Sequence, residues 1–131
     1  MELKNRAQYL NKLISVQDMD VIKVVTGIRR CGKSSLLKLM MAHLRQQGVT
    51  EDQLLSMNFE SMRFADLDGK GLYQYVMERA PQGKRFYLFL DEVQKITDWQ
   101  NAVNSFRVDL DCDIYVTGSN AYLLSSELST Y

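Results

Sequence analysis

Val21-Ile-Lys-Val-Val-Thr26, then Gly27-Ile-Arg-Arg-Cys-Gly-Lys-Ser34, then Ser35-Leu-Leu-Lys-Leu-Met-Met-Ala-His-Leu44 decide how the chain reads. The middle segment fits G-x-x-x-x-G-K-[ST], a loop that holds phosphate. Phosphates bring several negative charges into a protein. Successive backbone N–H groups in a glycine-permitted turn meet those charges without needing counter-ions of their own. Gly27 and Gly32 let the chain curl, and Ile28, Arg29, Arg30 and Cys31 supply the backbone between them. A helix expected from near Lys33 points its unpaired N–H groups and positive dipole end at the same place. In this pattern Lys33 reaches the β and γ phosphates and Ser34 offers its hydroxyl to Mg²⁺, while Ser35, one residue past the pattern, is a further candidate contact.

The flanks agree with the loop. Val21, Ile22, Val24 and Val25 form a β-branched run that reads as a buried strand. Leu36, Leu37, Met40, Met41 and Leu44 recur at helical spacing, and Gly48 stands where a helix C-terminal glycine belongs. An ordinary glycine turn between strand and helix explains the glycines, but not Lys33 and Ser34 at their positions. Arg29 and Arg30 read as solvent-facing loop arginines, and Cys31 as a spacer, with a reactive thiol as its alternative. His43, the one histidine, has no partner in sequence and reads as structural.

A second stretch answers the first. Phe86-Tyr-Leu-Phe-Leu90 is continuously apolar, as in a parallel strand covered on both faces, and runs directly into Asp91-Glu92. Open α/β sheets hold their ligands at the carboxyl ends of strands. There Asp91 suits a Mg²⁺ shell, and Glu92 suits the polarisation of a water that attacks the γ phosphate. Ile114-Tyr-Val-Thr117 reads as a further strand ending in Gly118-Ser119-Asn120. Asn120, with Ser119 second, is the candidate to hydrogen-bond the γ phosphate or the attacking water.

The remaining segments complete an alternating pattern. Leu3, Ala7, Leu10 and Ile14 predict an amphipathic first helix, and Leu54 to Phe59 a second strand. Arg63 to Lys70 reads as a connection. A short helix from Gly71 carries Leu72, Tyr75, Val76 and Arg79, and is stopped by Pro81-Gln-Gly83. Thr97 and Gln100 have capping-box spacing ahead of a helix whose Trp99, Ala102, Val103 and Phe106 form a core stripe. Asp109 and Asp111 read as a solvated turn, and Ala121 to Tyr131 as the beginning of a helix at best.

Composition excludes several classes. The chain has 131 residues, 46% of them hydrophobic and 24% charged, which is ordinary for one globular domain. Sixteen basic residues balance sixteen acidic ones. No global field therefore draws the protein to nucleic acid or anionic lipid, and no DNA-reading segment stands out. No apolar run has the length to cross a bilayer, and Met1-Glu-Leu-Lys-Asn-Arg6 lacks the apolar centre of a secretion signal. Cys31 and Cys112, two isolated thiols, suit a reducing compartment, so a cytoplasmic location is expected.

Gly27-Ile-Arg-Arg-Cys-Gly-Lys-Ser-Ser35, Leu88-Phe-Leu-Asp-Glu-Val-Gln94 and Val116-Thr-Gly-Ser-Asn120, in that order, resemble the nucleotide-binding core of prokaryotic AAA-type ATPases. More narrowly, the chain is similar to a bacterial and archaeal group distantly related to origin-recognition ATPases. The resemblance implies a three-layer, mainly parallel α/β sheet with ATP and Mg²⁺ as cofactors. It implies Lys33 and Ser34 as phosphate and Mg²⁺ residues, Asp91 as the Mg²⁺ acid, Glu92 as the catalytic glutamate and Asn120 as the sensor. It also implies a fifth strand beside the phosphate-loop strand, a helical lid, and an arginine supplied to a neighbour's site. Residues 1–131 are expected to stop before these, as a single incomplete nucleotide-binding core with its first strand at a sheet edge.

The function expected is Mg²⁺-dependent ATP binding and hydrolysis coupled to conformational change. A nucleotide-binding regulatory or assembly module with little turnover is the alternative. A small-molecule kinase is a further one, but it has no need of Glu92. The partners expected are nucleotide and, in a longer protein, a second copy or another protein.

Overall fold

The computed structural model describes the backbone of residues 2–26, 30–118 and 129–130, and the side chains of residues 7–26 and 32–118. Helix α1 (Glu2–Ser15) precedes strand β1 (Lys23–Val25), and helix α2 (Arg30–Gln46) precedes β2 (Leu54–Asn58). Helix α3 (Gly69–Arg79), β3 (Phe86–Asp91), α4 (Trp99–Asp109), β4 (Cys112–Thr117) and the two-residue β5 (Ser129–Thr130) follow. The strands lie in the order β2-β3-β4-β1-β5, and every pairing is parallel. This is the α/β three-layer sheet expected from the alternation of apolar strands and amphipathic helices.

Side-chain alternation divides the sheet into two faces. Phe86, Leu88 and Leu90 of β3, with Ile114 and Val116 of β4, pack among Leu72 and Val76 of α3 and Val103 and Phe106 of α4. The intervening residues Tyr87, Phe89 and Tyr115 turn to the other face, against Leu13 of α1 and Leu36, Leu37, Met40 and Leu44 of α2. Phe89 and Tyr115 are paired in register and stack with ring centres 4.9 Å apart. Gly48, at φ 96, ends α2 in the left-handed conformation that glycine accepts without a Cβ clash.

Several expectations change. A fifth strand is present: Ser129 and Thr130 pair with Lys23 and Val24, so β1 lies inside the sheet rather than at its edge. Helix α2 starts at Arg30, ahead of Lys33. The buried centre of α1 is Leu13, while Ala7 is exposed, because the helix seats Leu13 with Tyr9, Leu10 and Ile14 toward α2. Within the segment that reads as a connection, α3 already begins at Gly69, and the residue ahead of it is Asp68. Its side chain caps α3 by accepting from Gly71 N at 2.8 Å. The capping box at Thr97 does not form: α4 begins at Trp99 behind Asp98, which is left-handed (φ 66) and makes no side-chain cap bond. Thr97 is used elsewhere, its carbonyl accepting from Gly69 N at 2.7 Å. Asp109 and Asp111 are exposed, as expected, and each has a surface partner: Asp109 accepts from Tyr73 Oη at 2.5 Å and Asp111 pairs with Arg85. Trp99, Ala102, Val103 and Phe106 are core, as their spacing predicts.

A buried ion pair lies where neither spacing nor composition announces one. Lys23 and Asp113 are both fully enclosed and hydrogen-bonded to one another at the amino ends of β1 and β4. Tyr115 Oη donates to Asp113 at 2.7 Å, Asp18 N donates to it at 2.9 Å, and Lys23 Nζ donates to Met19 O at 2.7 Å. The pair thus holds the segment between α1 and β1 against the sheet. Nearby, burial pushes the Cys112 thiol up to about 11, so it stays protonated at neutral pH.

Candidate functional site

The polar residues at the carboxyl ends of the strands are brought together by register and alternation. Leu90 is paired with Val116, so Asp91 and Thr117 are the next residues on adjacent strands, on the face that α2 covers. Val25 of β1 is in turn paired with Thr117, which brings the end of the strand ahead of the phosphate loop to the same point. The first turns of α2 carry Lys33 and Ser34 over this end.

Ser34 Oγ donates to Asp91 Oδ2 at 2.5 Å. Thr117 Oγ1 donates to the other carboxylate oxygen, Asp91 Oδ1, and itself accepts from Glu92 N at 2.9 Å. Lys33 Nζ donates to Gly118 O at 3.2 Å and lies 3.5 Å from Glu92 Oε2. Glu92 Oε1 accepts from Gln94 Nε2 at 2.7 Å. Lys33, Asp91, Glu92 and Thr117 are all buried. A charged group removed from water needs such partners, because an unpaired buried charge costs several kcal/mol.

Backbone strain places Glu92. In an extended strand residue 92 would point away from Asp91, into the apolar layer under α3 and α4. Glu92 instead adopts φ 58 and ψ 49, a left-handed conformation uncommon for a residue with a Cβ. The strand ends there and a short 3-10 turn, Val93–Lys95, begins. The consequence is that two consecutive carboxylates reach the same polar cluster.

The donor set suits Mg²⁺. A hydroxyl and a carboxylate are hard oxygen ligands, and Mg²⁺ in nucleotide sites takes few protein ligands, the rest being water and phosphate. Among the described residues no group of three or more His, Cys, Asp or Glu is placed to hold a metal by itself. Two carboxylates against one ammonium leave the cluster at net −1, which a divalent cation would offset.

Of the residues singled out by sequence, the structure brings together Lys33, Ser34, Asp91 and Glu92. Ser35 is half-buried and makes no side-chain hydrogen bond among the described residues, and Gly32 is half-buried in the first turn of α2. Arg30 and Cys31 are described in backbone only. Gly27, Ile28, Arg29, Ser119 and Asn120 lie outside the described residues. Sequence reasoning missed Thr117 and Gln94. A signal for Thr117 was present: Asp113, Tyr115 and Thr117 put polar groups on one face of an otherwise apolar strand.

Among the described residues no helix is long and apolar enough to cross a membrane. The AAA domain family matches residues 20–131. An uncharacterized protein of Haemophilus influenzae is 42% identical over 128 residues, covering 96% of this chain and 32% of that protein. An uncharacterized protein of Methanocaldococcus jannaschii is 28% identical over 132 residues, covering 99% of this chain and 28% of that protein. The chain thus spans less than a third of the length of these curated relatives. The matched region takes in the five parallel strands among the described residues and the polar cluster at their carboxyl ends, and the chain belongs to the AAA domain family.

Proposed function

We propose that the chain binds Mg·ATP at the carboxyl ends of β1, β3 and β4 and hydrolyses it, the cycle driving or timing a conformational change. The observation that carries this reading is the 2.5 Å contact between Ser34 Oγ and Asp91 Oδ2. It joins the hydroxyl of a phosphate-loop pattern to the carboxylate of a buried strand end, with Lys33 and Glu92 alongside. The residue roles follow from charge and reach. Backbone N–H groups of residues 27–32 cradle the phosphates, and Lys33 moves its ammonium from Glu92 to the β and γ phosphates. Ser34 and Asp91 hold Mg²⁺, with Thr117 fixing the Asp91 carboxylate. When bound, Mg²⁺ neutralises phosphate charge. Glu92 orients a water and draws its proton, and Asn120 hydrogen-bonds the γ phosphate or that water.

Catalysis of this kind is positioning and charge stabilisation, with no covalent intermediate on the protein. A cytoplasmic setting, where ATP is supplied, goes with the reading. A second reading, a module signalled by occupancy with little turnover, is favoured by one observation. Both oxygens of Glu92 are engaged, by Gln94 and by Lys33, so the group that would act on water starts occupied.

Calorimetric titration with Mg·ATP, Lys33→Ala and Glu92→Gln together test both readings. The chain should bind, and Lys33→Ala should abolish binding. Glu92→Gln should keep binding and lose at least about 100-fold in hydrolysis, the scale of a general base. Equal, very slow turnover by the unaltered chain and Glu92→Gln would favour the module. Absence of binding by the folded chain would sink both.

A further inference from the structure

We propose that Gln94 is a positioning residue for Glu92, holding one carboxylate oxygen throughout the cycle while Lys33 releases the other. The inference rests on the hydrolytic reading above. Glu92 divides its two oxygens between unlike partners: Oε1 accepts from Gln94 Nε2 at 2.7 Å, and Oε2 faces Lys33 Nζ at 3.5 Å. The shorter contact is the stronger hydrogen bond, and 3.5 Å is an ion pair without a tight one. When Lys33 turns to phosphate, Oε2 loses its cation and becomes an acceptor for a water O–H. Oε1 keeps its amide donor, so the carboxylate does not swing free.

The backbone around Gln94 is built to hold that amide still. Lys95 N donates to Glu92 O at 3.2 Å and Ile96 N donates to Val93 O at 3.0 Å, closing the short turn. Val93 and Ile96, on either side of Gln94, are buried in the core beneath α3 and α4. A turn clamped at both ends leaves the side chain of Gln94 few orientations. The other end of the amide supplies an independent observation: Gln94 Oε1 is buried and has no hydrogen-bond donor among the described residues. Native proteins rarely leave such an acceptor without a purpose, because its desolvation is uncompensated. Because that oxygen has no donor among the described residues, the hydrogen bond to Glu92 is the contact that sets the orientation of the amide. Gln94 thus acts through Glu92, as a fixed donor to the base, while taking no proton itself.

The test separates positioning from packing. Gln94→Met keeps the length and bulk of the side chain and removes both amide functions, whereas Gln94→Ala removes the bulk as well. Both are compared with the unaltered chain and with Glu92→Gln, by Mg·ATP affinity and by single-turnover hydrolysis. Both Gln94 variants should bind within about threefold of the unaltered chain and hydrolyse about 10- to 100-fold more slowly, as for a displaced catalytic group. A Gln94→Met rate equal to the unaltered chain's would overturn the proposal and mark Gln94 as packing. Weakened binding at an unchanged rate would also overturn it. If the unaltered chain hydrolyses, Glu92→Gln does not and Gln94→Met does, the Gln94 proposal alone fails. If the unaltered chain binds Mg·ATP without hydrolysing it, the hydrolytic reading fails and this proposal falls with it.

Discussion

Asp18 shows how one residue couples stability to pH at the end of the sheet away from the phosphate loop. Its backbone is left-handed (φ 65), and its carboxylate accepts from Tyr87 Oη at 2.9 Å, Arg85 Nε at 2.7 Å and Gln17 Nε2 at 3.1 Å. Burial alone would raise its pKa. The bonds from Tyr87 and Gln17, with the charge and bond of Arg85, outweigh burial and hold it below the ordinary 3.8. A depressed carboxylate stabilises the fold above its unfolded pKa and loses that contribution as pH falls through its folded one. Asp18→Asn keeps a residue that tolerates the left-handed turn and removes the charge. Its urea midpoint should lie below that of the unaltered chain at neutral pH, and the gap should close as pH falls below 3.8. Single residues were legible in sequence where chemistry required a fixed spacing. Lys33 and Ser34 stand at set distances from two glycines, and Asp91 and Glu92 end an apolar run. Thr117 and Gln94 were not, because their roles depend on strand register and on the left-handed turn at Glu92, neither of which a spacing rule encodes.

At the scale of elements, the helices and strands were written in their periodicities, whereas the joints between them were not. The run Phe86 to Leu90 had no other reading, and the observed β3 extends it only to Asp91. By contrast, the spacing of Thr97 and Gln100 suggested a helix cap that is not made. The connection ahead of α4 is instead shaped by a contact between segments distant in sequence. Gly69 N donates to Thr97 O, and a Cβ added at Gly69 would lie 2.5 Å from Asp98 O. Nothing local to Gly69 announces that approach. Gly69→Ala drives a methyl group against backbone that cannot rotate away. It should destabilise the chain by about 1–3 kcal/mol, the cost of overpacking, seen as a lowered urea midpoint. Gly71→Ala is the control, because the atom its Cβ meets at 3.0 Å is the terminal methyl of Leu67, which can shift.

Over the whole molecule, the α2-facing side of the sheet carries a polar cluster at each end with an apolar middle. Asp91 and Thr117 close one end, Lys23 and Asp113 the other, and Phe89 and Tyr115 fill the space between. The three-layer fold was legible because both faces of β3 had to be covered. The Lys23–Asp113 pair was not, since a lysine inside a β-branched run reads as an interruption until its partner strand is known. Removing one member should be costly. Asp113→Leu leaves a buried ammonium and should lose about 3–5 kcal/mol, while Lys23→Met with Asp113→Leu should recover most of that loss, both read by urea unfolding. The recovered variant should nevertheless give doubled amide peaks for β4 in NMR spectra. β4 bears Asp113 and Thr117 four residues apart on one face, each tied to a different neighbouring strand. Apolar alternation rejects a strand shifted by one residue, since every side chain would change sides. It is blind to a shift of two, which restores the pattern of sides while misplacing every partner. Two polar anchors on opposite borders of β4 detect that error, so the sheet carries its own proofreading for the misalignment that hydrophobicity alone would let pass.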